Sequence, residues 1–396
     1  MDFHSSHKGS LLGGTLLVAG CCIGAGMLGL PVLSGQAGFL PSIIMFLICW
    51  LFMICTGLLL LEVNLWYGGG ISIITMAGRT LGRPGKVVSW LVFLFLFYSL
   101  MVAYVAASGA LITDFIGEAT GYYWHHSLGG LLFCLLFGVL LYLGAGAVDW
   151  FNRLLMLGLI LSYVSLVAVG ASHVNANLLK HYDWTAATLV IPAVIISFGF
   201  HNLVPSLTTY FRGNIKPLKW SIILGSLIPL AIYLIWEWII LGIVPLQDFK
   251  VALDQGEIAT EALKNTVGSS WVVDVAQIFA FFAIVTSFLS VALSFMDFLA
   301  DGLNIKKTPG GKISLAFLVL MPPFLCALGY PTIFLIALNT AGGFGAVILF
   351  GILPALMAWK GRYTQQLGKP QLVPGGKPVL MLVMAFAAWV IALQLI

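Results

Sequence analysis

Long apolar stretches separated by short segments with charges, glycines or prolines dominate the pattern of this 396-residue chain. A helix needs about 20 mostly apolar residues to cross a bilayer. The pattern therefore predicts eleven membrane-spanning helices, numbered spans 1 to 11. They fall at about 9–34, 39–66, 87–116, 127–147, 153–173, 186–211, 218–245, 271–302, 313–329, 332–359 and 378–396.

Composition supports this interpretation, because 61% of the residues are hydrophobic and only 8% are charged. Charged residues make up about 25% of a soluble domain, so a soluble globule is excluded. The chain shows no metal-ligand motif, phosphate loop or helically spaced Ser/His dyad, and its six cysteines lie in apolar stretches without a CxxC pair. We therefore expect that the chain is not an enzyme and that it has no cofactor, no metal site and no disulfide framework. Nor does the sequence show the ring of charges that is typical of a channel.

The basic residues predict the topology. If the N-terminus is cytoplasmic, only Lys180, Lys250 and Lys264 face outside, and the other fifteen of the eighteen Lys and Arg residues face inside. This bias follows the positive-inside rule, and an odd number of spans places the C-terminus outside. The first span lacks a cleavage site, so we expect it to be retained. The outer connection 246–270 predicts short amphipathic helices over a vestibule, and the glycine-rich inner loop 67–86 is expected to dip into an inner cavity.

Two spans contain residues that interrupt helices. Span 1 has four glycines and a proline between Gly20 and Pro31, and span 6 places Gly, His and Asn between Pro192 and Pro205. For span 1 alone, close packing of small residues is an alternative. However, spans 1 and 6 open two five-span halves, about 9–173 and 186–359, which must have opposite topology, with 378–396 as an extra helix. Interrupted helices at corresponding positions of inverted halves indicate a transporter's substrate site, and 1–396 is then one transmembrane domain.

Such breaks have a specific chemistry, since free backbone groups are tolerated in mid-membrane only where they line a cavity. N–H groups near Ala25, Gly26 and Met27 would face an anion. Carbonyls near Cys21, Cys22 and Phe198 would suit a cation. An α-amino acid carries both charges and fits better than a sugar or a simple ion.

The side chains of span 6 would lie next to the bound substrate, namely Phe198, Phe200 and His201. His201 is the only mid-span histidine, and three roles are open to it: a packing residue, a polar contact to the substrate or a proton carrier. Asn202 has similar alternatives.

Three carboxylates lie inside spans and more than three residues from a span end: Glu62, Glu237 and Asp297. Each is a candidate for proton coupling, for gating or for an interhelical hydrogen bond, because intramembrane acids usually face an interior or a water path. In span 8, Thr286, Ser287 and Ser290 would place hydroxyls on one helix face, as a hard cation or a polar helix contact requires.

Several stretches resemble the bacterial hydroxy/aromatic amino acid permeases, the tyrosine and tryptophan carriers of the amino acid/polyamine/organocation superfamily. They occur in order along nearly the whole chain: GCCIGAGMLGLP (20–31), LLLLEVN (58–64), VDWFNRLL (148–155), SFGFHNLVPSLTTYFRGNI (197–215), GSLIPLAIYLIWE (225–237) and TSFLSVALSFMDFLAD (286–301). The resemblance implies an all-α membrane protein of eleven spans with the leucine-transporter type of five-plus-five inverted repeat and discontinuous helices 1 and 6.

The resemblance also implies a secondary active symporter that imports tyrosine, tryptophan or both across the bacterial inner membrane by alternating access. Coupling to protons is expected. A sodium-coupled carrier or a carrier of small neutral amino acids with the same fold is the alternative.

By the same resemblance, the substrate site lies between the unwound parts of spans 1 and 6, closed by spans 3 and 8. The implied contacts are Ile23, Gly24, Ala25, Gly26, Met27, Phe198, Gly199, Phe200, His201 and Asn202, with Tyr98 or Tyr104 from span 3. The implied cation site consists of the carbonyls of Gly20, Ile23 and Ala283 and the hydroxyls of Thr286 and Ser287. The oligomeric state stays open.

Overall fold

The protein is described by a computed structural model that covers residues 9–122, 125–267, 271–330, 332–367 and 370–395. Within these ranges the regular structure is helical. The α-helices are α1 Leu11–Cys22, α2 Gly26–Ser34, α3 Phe39–Trp66, α4 Ile73–Leu81, α5 Arg83–Thr120, α6 His126–Leu143, α7 Ala145–Gly170, α8 Ile191–Ser197, α9 Val204–Tyr210, α10 Ile215–Ile243, α11 Leu246–Gln255, α12 Ala259–Val267, α13 Trp271–Leu303, α14 Pro309–Gly329, α15 Phe334–Thr340, α16 Leu353–Tyr363 and α17 Gly376–Leu393. Short 3-10 turns flank α7 and α8, and a π-helical stretch, Ala341–Ile352, joins α15 to α16.

Ten helical segments are long and apolar enough to cross a membrane, and the bent pair of α1 and α2 makes up to eleven. The sequence predicted the same number. Helices satisfy their own backbone groups, which is why an apolar chain can cross lipid in this form. The chain is a multi-pass membrane protein.

The predicted boundary between spans 4 and 5 was wrong. Span 4 was placed at 127–147 and span 5 at 153–173, whereas α6 ends at Leu143 and α7 already begins at Ala145. Gly144 has a φ of +98°, a backbone conformation open to glycine that ends one helix and starts the next within a single residue. The polar residues that were assigned to the connection therefore lie in the first turns of α7.

The described connections with many lysines and arginines, 67–86, 212–219, 303–312, 360–367 and 370–377, lie at one end of the bundle, here called the basic end. Lys8 and Lys369, counted with this set in the sequence, lie outside the described residues. The opposite end carries α11 and α12. These two helices confirm the prediction of short amphipathic helices within 246–270, although residues 268–270 lie outside the described part.

Charged side chains hold α12 against the end of α5. Lys264 Nζ lies 2.7 Å from Glu118 Oε1 and 3.7 Å from Asp114 Oδ2. Burial, together with the negative charge of Asp114, raises the pKa of Glu261 to about 7. The negative charges of Glu257 and Glu118 also raise this pKa, whereas the positive charge of Lys264 lowers it. The buried residues of α12 pack on α2, so this end of the second half of span 1 is covered by protein.

Candidate functional site

Span 1 is interrupted between α1 and α2, whose axes differ in direction by 58°. Two neighbouring helices approach the backbone of this break closely at its glycines. A Cβ on Gly24 would overlap the Ser287 hydroxyl of α13, and a Cβ on Gly26 would lie 2.6 Å from the Ser197 hydroxyl of α8. The glycines that the sequence singled out thus serve close helix approach and the break at once.

The amides of this break are only partly free. Ala25 N–H donates to Ser287 Oγ at 2.9 Å, and Met27 N–H donates to the Gly24 carbonyl at 3.2 Å. Gly26 is the first residue of α2, where a backbone N–H has no acceptor within its own helix. Of the three amides expected to face an anion, Gly26 is the one that its own helix leaves available.

Span 6 changes conformation between Ser197 and Val204. After α8 ends, Gly199 has φ −76° and ψ +48°, a 3-10 turn covers Phe200–Leu203, and α9 follows. Pro192 and Pro205 lie in the first turns of α8 and α9, where the missing proline N–H costs little. The two prolines therefore start the half-helices and do not themselves form the break.

One tyrosine joins the two breaks. The Tyr233 hydroxyl of α10 lies 2.6 Å from the Cys22 carbonyl oxygen and 3.0 Å from the Ser197 carbonyl oxygen, at the C-terminal ends of α1 and α8. Tyr233 is fully buried. The Cys22 carbonyl oxygen, which the sequence assigned to a cation, therefore already accepts a hydrogen bond from the Tyr233 hydroxyl. One turn further, Trp236 Nε1 donates to the Met27 carbonyl at 2.9 Å, so α10 also holds α2.

A cavity of about 760 Å³ lies between the two breaks and the basic end. Its inner part is formed by residues 20–26, by Ser197 and Gly199, and by α5 and α13. Toward the basic end it is lined by Gly70, Ser72, Ile73 and Ile74, so part of the loop 67–86 borders the cavity, as the sequence predicted. The aromatic side chains in the lining are Phe93, Phe97, Tyr104, Phe298 and Phe350.

The predicted substrate contacts separate into two groups. Ile23, Gly24, Ala25, Gly26, Tyr104, Gly199 and Asn202 line the cavity, whereas Met27, Tyr98, Phe198, Phe200 and His201 are absent from its lining. Of the two span-3 tyrosines that the sequence left open, Tyr104 is the one in the cavity. The Tyr98 hydroxyl donates to the Leu318 carbonyl of α14 at 3.0 Å, and its ring packs edge-on against Phe295.

His201 lies behind the break, toward α3. Its ring is stacked between Phe200 and Phe350, each with its centroid 4.8 Å away, and Nε2 lies 3.0 Å from Thr56 Oγ1. No protein partner is described for Nδ1, and the residue is fully buried. Of the roles that the sequence left open, this geometry favours packing, because the ring is enclosed by two aromatic faces and a threonine.

The cation-site candidates are close to one another. Gly20, Ile23, Thr286 and Ser287 line the cavity, and Ala283 is buried beneath it. The Thr286 hydroxyl donates to the Phe282 carbonyl at 2.8 Å, and Ser287 Oγ accepts from Ala25 N–H.

The three intramembrane acids have different surroundings. Glu62 forms a buried ion pair with Arg362 of α16, at 2.6 and 2.7 Å. Glu237 Oε2 accepts from the Ser34 hydroxyl at 2.5 Å, and no partner is described for its Oε1. Asp297 lines the cavity near the basic end and pairs with Lys307 at 2.7 Å. Only Asp297 of the three borders the cavity.

Sequence reasoning missed Tyr233 and Trp236 and gave no role to the side chain of Ser197. A signal existed for the first two, because Tyr233, Trp236 and Glu237 have the spacing of one helix face. No sequence pattern pointed to the Ser197 side chain, since serine is common in packed membrane helices.

Comparison with known proteins gives consistent similarities over almost the full length. The model of the tryptophan/tyrosine permease family matches residues 7–394. A tryptophan-specific transport protein of Pseudomonas aeruginosa is 32% identical over 391 residues, 96% of this chain and 93% of the relative. The tyrosine-specific transport system 1 of Haemophilus influenzae is 31% identical over 385 residues, 94% and 93% of the two chains. A low affinity tryptophan permease of Escherichia coli is 30% identical over 375 residues, 91% and 90% of the two chains.

Proposed function

The chain belongs to the tryptophan/tyrosine permease family, and on that premise we propose that it imports tyrosine or tryptophan by alternating access as a cation-coupled symporter. It is a transport protein and not an enzyme. The proposal includes the leucine-transporter type of inverted repeat, a bacterial inner-membrane location, a cytoplasmic N-terminus and an external C-terminus.

The observation that carries the proposal is a cavity that reaches both helix breaks and, among the described residues, extends toward the basic end. Its lining runs from Gly26 and Ser197 to Ser72 and Asp301 at the basic end. On the opposite side, α2 is buried under α12 and held by Trp236. If the basic end is cytoplasmic, this arrangement corresponds to an inward-facing state.

The lining suits an aromatic amino acid. The substrate carboxylate would accept from Gly26 N–H at the start of α2, where the helix dipole favours an anion. The substrate ammonium would face the carbonyl ends of α1 and α8. Phe97, Tyr104 and Phe350 supply aromatic surface for the side chain and replace Phe198, Phe200 and His201 in that role.

Proton coupling is the first candidate for the driving force, with Asp297 at the cavity and Glu237 behind α2 as the carboxylates in question. Sodium coupling is the alternative, since the hydroxyls of Thr286 and Ser287 lie beside the span-1 break. A carrier of small neutral amino acids is the second substrate class, but five aromatic rings in the lining favour a large substrate.

The function is tested by uptake of radiolabelled tyrosine and tryptophan into proteoliposomes. An imposed inward proton gradient should drive saturable uptake of at least one of the two, and a sodium gradient without a proton gradient should not. Absence of saturable uptake of both substrates would refute the transport proposal. Competition by low concentrations of alanine or serine would indicate the small-substrate alternative.

The position of the site is tested separately through Cys21, whose side chain lines the cavity. A membrane-impermeant thiol reagent should modify Cys21 from the basic end, and substrate should slow the reaction. Cys326, exposed near the end of α14 that lies opposite the basic end, provides the control when the reagent is added at that opposite end, because its modification should not respond to substrate. Equal effects of substrate on the two cysteines would contradict a site at the break.

A further inference from the structure

A second cavity lies on the outer surface of the bundle, away from the transport pathway. It has a volume of about 470 Å³ and runs between α6 and α14, two helices of which much of the surface is not covered by protein. Its lining is almost wholly apolar. In a membrane protein this surface faces lipid, so the occupant must be compatible with a bilayer.

The groove follows the two helices in antiparallel register. On α6 it is lined by Leu131, Cys134, Gly138 and Tyr142, and on α14 by Ile313, Ala316, Leu320 and Phe324. Each set spans twelve residues, and the eleven steps of 1.5 Å between its ends give a length of about 16 Å. The hydrocarbon core of a bilayer is about 30 Å thick, so the groove has the length of one leaflet.

A cation lies at one end of the groove. Lys312 Nζ is 3.3 Å from the Tyr142 carbonyl oxygen and 5.8 Å from the centre of the Tyr142 ring. Among the described residues no carboxylate lies within ion-pair distance of Lys312, whereas the nearby Lys307 is paired with Asp297. Lys312 is also in the first turn of α14, where the helix dipole disfavours a positive charge. Its contact with the Tyr142 carbonyl caps the last turn of α6 and leaves the ammonium without a carboxylate partner among the described residues.

We propose that the groove between α6 and α14 binds one anionic phospholipid, with an acyl chain along the groove and the phosphate at Lys312. The apolar length matches one acyl chain within a leaflet, and the Lys312 ammonium, which has no carboxylate partner among the described residues, complements an anionic headgroup. Basic residues between membrane helices on the cytoplasmic side bind anionic headgroups in this way.

The test uses the purified full-length chain in mixed micelles with equal amounts of phosphatidylglycerol and phosphatidylcholine of matched acyl chains. Native mass spectrometry measures the ratio of the two lipids that stay bound. The wild-type protein should retain phosphatidylglycerol preferentially. Lys312→Gln should lower the ratio about fivefold, equivalent to about 1 kcal/mol for one lysine at an anionic surface. Ala316→Trp, which fills the groove, should lower retention of both lipids.

Lys216→Gln is the matched control, because Lys216 is exposed in the first turn of α10 but does not line the groove. It should leave the ratio unchanged. Equal ratios in Lys312→Gln and wild type, or equal losses in the two lysine variants, would overturn the proposal. So would a lipid-free dimer that Ala316→Trp dissociates, since the groove would then be an interface between copies of the chain. If Ala316→Trp does not fold, the comparison of the two lysine variants still decides.

Discussion

The buried ion pair between Glu62 and Arg362 predicts a large loss of stability when one partner is neutralised. Glu62 is fully buried and Arg362 is 8% exposed. Glu62 accepts three hydrogen bonds, two from the guanidinium and one from Leu372 N–H at 2.7 Å. Arg362 also donates to the Val373 carbonyl at 3.0 Å, so the pair ties α3 and α16 to the segment that leads into α17.

Glu62→Gln keeps the shape of the side chain but leaves the guanidinium without its counterion. Removing one partner of a buried pair costs about 3–5 kcal/mol. The matched control is Asp149→Asn, which breaks a pair with Arg153 of similar length, 2.9 Å, between side chains that are 63% and 78% exposed. An exposed pair contributes about 0–1 kcal/mol. Glu62→Gln should therefore lower the thermal unfolding midpoint in detergent by several times the effect of Asp149→Asn.

A double variant separates the pair from the rest of the site. If the cost comes from the unpaired charge, replacing both Glu62 and Arg362 by methionine should destabilise the protein less than Glu62→Gln alone. The structural assignment is refuted if Glu62→Gln and Asp149→Asn have equal midpoints. Loss of transport at an unchanged midpoint would instead support the coupling or gating role that the sequence left open for Glu62.

Three further predictions concern the breaks and the α12 end. Tyr233→Phe removes the hydroxyl that lies between two buried carbonyls, which costs about 1–3 kcal/mol of folding free energy. The variant should raise the KM for substrate severalfold. An unchanged KM in uptake assays would show that the hydroxyl does not position the breaks. Thr56→Val removes the hydrogen bond to His201 and should lower the unfolding midpoint while the ratio of tyrosine to tryptophan uptake stays constant; a changed ratio would give the histidine a substrate role. Because the folded-state pKa of Glu261 is raised to about 7, its contribution to the packing of α12 is present at low pH and is lost as the pH rises through about 7. Hydrogen exchange of residues 259–267, corrected for intrinsic rates, should therefore be faster at pH 8 than at pH 6 in the wild type. Glu261→Gln should remove this difference. Equal exchange of the wild type at both pH values would contradict the assignment.

The breaks could be located from sequence because their causes are local. The glycines of span 1 and the two prolines of span 6 act on the backbone of their own helices, so residues 20–31 and 192–206 were recognisable without any neighbour. The boundary at Gly144 also has a local cause, but the hydrophobic pattern did not reveal it. Its positive φ depends on one residue, while the hydrophobic pattern is averaged over many.

The orientation of side chains around each helix was not accessible in the same way. Tyr98 and Tyr104 both lie in span 3, yet only Tyr104 lines the cavity. His201 lies in a break but faces Thr56 of α3. In a membrane, lipid and neighbouring helices are equally apolar, so hydropathy gives little information on which face of a helix meets the cavity.

The sequence by itself determined the membrane class, the number of spans and the two interrupted helices, because hydropathy, glycine and proline act within single segments. Only the tertiary structure decided which groups meet across the fold. Tyr233 bonds to Cys22 and Ser197, and Arg362 pairs with Glu62 from a position 300 residues away. The physical reason is that these contacts depend on the relative rotation and packing of whole helices, which no single segment specifies.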